Sequence, residues 1–138
     1  MNIEEILSSS ETKINFLKGL IRIAKCDKNI DEKEMAYFLQ ASQSLGLDEV
    51  GQMEISNAWN SNIPIEISFE TNEQKMFFFI EAIQLCWVDN MYQDIEKKEI
   101  RIISQELGIS EEAIDKVEEW VKEGIEWNNK SKDLLKLK

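Results

Sequence analysis

The chain carries an internal copy of itself. Residues 14–47 lie over residues 76–109 without a gap, at a constant offset of 62. Phe16 meets Phe78, Ile21 meets Ile83, Asp27 meets Asp89 and Glu34 meets Glu96, and Ser42-Gln43-Ser44-Leu45-Gly46 meets Ser104-Gln105-Glu106-Leu107-Gly108. The repeated unit reads apolar helix, Asp, seven-residue step to Glu, apolar helix, Leu-Gly. Apolar residues recur at helical spacing, so each copy predicts a helix pair. One proline and five glycines in 138 residues leave little room for the turns a β-fold needs. The expectation is an all-α domain of about seven helices over residues 1–138, built from two related halves.

Local signals place the elements. A short first helix at about 3–8 ends at Ser9 and Ser10, which can cap the next, from about 11 to 26. Asp31 with Glu34 three residues on resembles a capping box for a third helix, with Gly46 as its C′ residue. Asp48 caps a fourth helix to about 60, offering Val50, Met53, Ile55 and Trp59 for packing. Residues 60–72 form the connection between the copies. There Ile63, Ile65, Ile67 and Phe69 alternate with polar residues and Pro64, the pattern of an extended linker that lays side chains on a core. Thr71 and Gln74 start a fifth helix, apolar nearly all round and therefore central. The loop 89–93 follows it. A sixth helix runs from about 94 to 107 on Ile95, Ile102, Ile103 and Leu107. Ser110 caps a seventh, and the lysine-rich tail 128–138 frays unless its leucines dock.

Composition removes several function classes. The formal net charge is −11, which disfavours binding to nucleic acid or an anionic membrane. With no histidine, Ser-His-Asp and Cys-His chemistry and imidazole-ligated metals are excluded. Cys26 and Cys86 follow apolar helical residues and read as reduced, buried thiols. No signal peptide or membrane span is readable, so a cytoplasmic setting without membrane insertion is expected. No motif marks a nucleophile, a phosphate loop or a dinucleotide site, and an enzyme is not expected.

The two acidic loops are the candidate chemistry. Asp27, Asp31 and Glu34 crowd the first, and Asp89 and Glu96 stand at equivalent places in the second. Carboxylates on a tight turn can supply the oxygens that a hard divalent cation such as Ca²⁺, Mg²⁺ or Mn²⁺ requires. An EF-hand is excluded, because its glycine position holds Glu32 and its final glutamate position holds Phe38. The same residues serve equally as helix caps. A protein partner is the other expectation, met by aromatics at the surface: Tyr37, Trp59, Trp120 and Trp127 are the candidates, each also able to edge a core.

The run Ala24-Lys25-Cys26-Asp27-Lys28-Asn29-Ile30-Asp31-Glu32-Lys33-Glu34, followed by Leu45-Gly46-Leu47, resembles the signature of the TerB (tellurite-resistance) family. The second copy carries it as Asp89, Tyr92, Glu96 and Leu107-Gly108-Ile109. The family's glycine after the aspartate is Lys28 here and Asn90 in the second copy. The resemblance covers about residues 12–125. It implies a helical fold with internal pseudo-twofold symmetry and a bacterial role in stress or tellurite resistance. It also implies cation binding through Asp27, Glu34, Asp89 and Glu96, to which Asp31 is a local addition.

Overall fold

The computed structural model describes residues 3–26, 32–90 and 92–138, with the backbone alone at 33, 34 and 88–90. Among the described residues the chain is all-helical, in the order α1 (Ile3–Ile6), α2 (Ser10–Ala24), α3 (Glu32–Ser44), α4 (Glu49–Asn60), α5 (Asn72–Asn90), α6 (Asp94–Leu107) and α7 (Glu111–Leu134). None of these helices is long and apolar enough to cross a membrane.

The helix starts follow the expected chemistry. Ser9, Asp48 and Ser110 occupy N-cap positions, their side chains accepting from the backbone N–H of Thr12, Gly51 and Ala113. Thr71 Oγ1 accepts from Gln74 N at 3.1 Å, and Gln74 Oε1 accepts from Thr71 N at 3.2 Å, a reciprocal pair that opens α5. The ends of α3 and α6 also match. Gly46 and Gly108 take φ of 78° and 72°, the left-handed conformation that ends a helix at little cost only in glycine. Behind each, the next amide folds back onto a buried serine's carbonyl: Leu47 N to Ser42 O at 3.1 Å, Ile109 N to Ser104 O at 2.9 Å.

Helix α5 lies at the centre, packed against α1, α2, α6 and α7. Phe77, Phe78, Phe79, Ala82, Ile83 and Cys86 are buried on it, so little of its circumference meets water. It continues to Asn90, through the first residues of the loop expected at 89–93. The aromatic core links the helices: Phe16 meets Phe77 at 5.5 Å between ring centres, and Phe78 meets Phe69 of the linker at 5.7 Å. The crossing of α2 and α5 is tight. A Cβ at Gly19 would fall 2.4 Å from Phe78 Cε1, so glycine is what lets the ring lie against the helix backbone.

The connection between the copies is extended, without helix or strand. Ile65, Ile67 and Phe69 pack on the core while Glu66 and Ser68 face water, as the alternation predicts; Ile63 is exposed. Four apolar expectations fail in detail. Val50, Met53, Ile95 and Ile102 are exposed, because each falls outside the arc its helix turns inward. Cys26 is partly exposed and Cys86 buried, and they form no disulfide.

Candidate functional site

The acidic loops fall largely outside the described residues. Asp27 and Asp31 lie there entirely, and Glu34 and Asp89 sit in α3 and α5 with only their backbones described. Glu96 is described and buried in the first turn of α6. Its Oε1 accepts from Gln93 N at 2.9 Å, satisfying an N–H that the helix start leaves open. Among the described residues, no three His, Cys, Asp or Glu side chains are grouped as a metal would need.

A different site emerges from the packing. Helix α3 packs on α2 and α4, and α5 packs on α2, but among the described residues the backbones of α3 and α5 do not approach each other closely. The gap is a groove of about 580 Å³ with α2 as its floor and the other two helices as walls. Phe16, Leu17 and Leu20 make the floor; Tyr37, Ala41 and Leu45 make one wall; Glu81, Gln84 and Leu85 make the other. The Glu81 carboxyl is half-buried in this apolar setting, and burial holds its pKa above the ordinary 4.5. A groove of this size and lining suits an apolar side-chain row, with one anionic point to fix its orientation.

The positions 62 residues away behave differently. Gln84, Tyr37 and Ser44 line the groove; Arg22, Glu99 and Glu106 stand at the corresponding places. There the space is a more polar pocket of about 480 Å³, shared with Lys25, Cys26 and residues 61–66 of the linker, and an ion-pair cluster crosses it. Arg22 Nε donates to Glu99 Oε1 at 2.7 Å and Nη1 to Glu106 Oε2 at 2.6 Å, while Nη1 also reaches the Ile65 carbonyl at 3.3 Å. One guanidinium thus ties α2 to α6 and to the linker. Burial alone works against its charge, but the hydrogen bonds it donates to Glu106 and Glu99 outweigh that and raise its pKa. Helices α2 and α6 pack closely at this point, which α5 and α3 do not do among the described residues.

Two lysines hold the helix ends that frame these spaces. Lys13 Nζ donates to the Leu45 carbonyl at 3.0 Å, and Lys75 Nζ to the Leu107 carbonyl at 2.9 Å. Each puts a cation on the negative end of a helix dipole and caps an orphan carbonyl. Lys25 does the same for α4, donating to Ala58 O at 3.0 Å and Ser61 O at 2.8 Å; burial lowers its pKa.

A further polar cluster joins α6 and α7. Tyr92, buried and at φ 54°, donates through its hydroxyl to Glu118 Oε2 at 2.5 Å, and Glu118 also receives Arg101, which binds Asp115 at 2.6 Å. Burial and the bond to Glu118 both hold the Tyr92 hydroxyl protonated. Positive φ in a bulky side chain is strained, and this anchored ring is what holds it. The neighbouring Trp87 Nε1 is buried without a hydrogen-bond partner among the described residues.

The surface aromatics divide. Trp59 is buried against Phe38 and belongs to the core, at 5.7 Å between rings. Tyr37 is exposed at the groove, and Trp120 and Trp127 are exposed on α7. The groove itself was not predicted from sequence; comparing positions 22, 99 and 106 with 84, 37 and 44 would have flagged it. No protein-family model, characterised protein or solved structure matches the chain.

Proposed function

We propose that the chain is a non-enzymatic, TerB-like helical domain whose two halves are related by pseudo-twofold symmetry, and that it acts by holding a protein partner in the open groove of one half. The symmetry is supported by the recurrence, 62 residues apart, of the Ser9 and Thr71 caps, the Lys13 and Lys75 bonds and the Gly46 and Gly108 turns. The observation that carries the partner reading is the difference between the halves. An arginine paired with two glutamates makes one pocket polar and ties its helices together, while the other keeps Tyr37, Ser44 and Gln84 around an apolar floor. The partner's chemistry follows from the lining: an apolar helical segment with a lysine or arginine facing Glu81. Such helix-in-groove recognition is read as anchors at i, i+3, i+4 and i+7. A cytoplasmic role in tellurite resistance or another stress response belongs to the same proposal and rests on the resemblance of residues 12–125.

Selection of displayed amphipathic helices against the full chain tests it. Wild type should enrich sequences with an apolar face and one basic residue at a fixed register, and Ala41→Trp, which fills the groove, should abolish the enrichment. Equal enrichment by both proteins, or none by either, overturns the reading.

A second reading, a divalent cation held by Asp27, Asp31 and Glu34 or by Asp89 and Glu96, is supported by the recurrence of an Asp seven residues before a Glu in a chain of net charge −11.

A further inference from the structure

Helix α7 is 24 residues long, and only its first half is anchored. Ile114, Val117 and Val121 are its buried residues, and nearly every side chain after Ile125 is exposed. Three large apolar residues are exposed on it at seven-residue intervals: Trp120 at 53%, Trp127 at 75% and Leu134 at 65%. At 100° per residue they drift by only about 20° per step, so they form one stripe. That stripe lies about 100° round from the buried row and so faces outward. Between its members, on the same side, stand Gly124 and Ser131. A Cβ at Gly124 would meet nothing within 4 Å, so the stripe alternates large knobs with small gaps.

Charge along the helix is polarised. Glu111, Glu112, Asp115, Glu118, Glu119 and Glu123 outnumber Lys116 and Lys122 in the N-terminal half, while Lys130, Lys132, Lys136 and Lys138 outnumber Glu126 and Asp133 toward the end. A surface with that layout is complementary to its own reverse. Two copies laid antiparallel place each basic end on the other's acidic half. The pairing of Trp127 with the partner copy's Gly124 gap also sets Trp120 over the Ser131 gap. In the same register Glu123 flanks Lys130 of the other copy, as flanking positions do in antiparallel coiled coils.

We propose that α7 is a dimerisation helix, and that the occupant of its Trp120–Trp127–Leu134 stripe is the same stripe of a second copy in antiparallel, two-fold arrangement. Such an interface is self-complementary and closes at two subunits. Four tryptophans at these exposures bury on the order of 500 Å², taking roughly 200 Å² per ring. The tail leucines and lysine stems extend this toward the ~1,000 Å² expected of a specific interface. The groove on α2, α3 and α5 is not part of this surface, so the dimer and the partner reading stand or fall separately.

Sedimentation of the full chain decides the matter. Wild type should run as a dimer, and Trp127→Glu as a monomer with an unchanged far-ultraviolet circular dichroism spectrum. Glu123→Lys should weaken the dimer at least tenfold, and adding Lys130→Glu should restore it. That rescue is specific to the antiparallel register, since parallel copies in register would keep residues 123 and 130 about 10 Å apart along the axis. A monomeric wild type at about 100 µM, a dimer indifferent to Trp127→Glu, or a charge swap without rescue overturns the proposal. So does co-sedimentation of a monomer with anionic phosphatidylserine vesicles through Trp127, which would assign the stripe to lipid.

Discussion

The ammonium of Lys75 rests 2.9 Å from the carbonyl oxygen of Leu107, and 62 residues earlier Lys13 stands 3.0 Å from the carbonyl of Leu45. Each lysine starts one helix and closes the end of another. Lys75→Met and Lys13→Met should each lower the unfolding free energy by about 1 kcal/mol, the usual net value of a hydrogen bond of this kind. The bonds cap different helices, so the two losses should add in the double variant. Urea denaturation followed by circular dichroism measures all three.

Arg22 should be the most costly charged residue to remove. Arg22→Met leaves Glu99 and Glu106 without their cation and frees the strap at Ile65. Glu106 is half exposed, which limits the penalty, and a loss of about 2 kcal/mol is expected. The informative comparison is Gln84→Met at the corresponding position of the open groove, where no such loss should occur. Equal costs at both positions would remove the distinction between the grooves.

The Glu81 carboxyl titrates above its unfolded value, so the folded chain binds more protons than the unfolded one at pH values just above 4.5. Stability from this group is therefore present at low pH and lost as pH rises through the folded-state value. Glu81→Gln removes the cost of burying a charge. Its urea midpoint should exceed wild type at about pH 7, with the gap closing toward about pH 4. A pH-independent gap would show that the carboxylate is not desolvated in the groove.

At the α2–α5 crossing the close approach sets a packing limit. Gly19→Ala should cost about 1–3 kcal/mol, because the new methyl group meets Phe78 at 2.4 Å. Phe78→Leu alone also destabilises, by leaving space at a fully buried site. Combined, the two should cost less than their sum. Thermal melts of the cycle measure that coupling directly.

Calorimetric titration of the chain with Ca²⁺, Mg²⁺, Mn²⁺ and Zn²⁺ tests the acidic loops. The cation reading expects binding tighter than millimolar that is lost in Asp27→Asn or Asp89→Asn. Tight binding that survives both changes would place the ion elsewhere.

Much of the helical order was legible because its signals are local. The caps at Ser9, Asp48, Thr71 and Ser110 and the left-handed glycines at 46 and 108 each depend on residues within one turn. The inward alternation of Ile65, Ile67 and Phe69 is local too. What the sequence hid is set by contacts between distant residues. Periodicity alone could not tell that Ile95 and Ile102 fall outside the inward arc of α6, or that Trp59 is buried against Phe38. The Arg22 cluster joins residues 77 and 84 apart, and nothing near Arg22 announces its partners. Of the five candidate acidic residues, Glu96 alone has a described side chain, and there it caps a helix start, the role expected of an acid in a first turn.

That long reach has a consequence for how the chain is made. During synthesis Arg22 and the whole of α2 emerge before Glu99 and Glu106 have been added. Until then the first copy presents an unneutralised guanidinium on a helix whose packing face is still open to water. Helix α5, which covers that face, also comes late. Nascent chains stopped before residue 99 should therefore remain vulnerable to protease, and resistance should arrive in one step as α6 clears the ribosome. The sequence repeats, but its halves do not mature one after the other. The earlier copy waits for the later one to lock it.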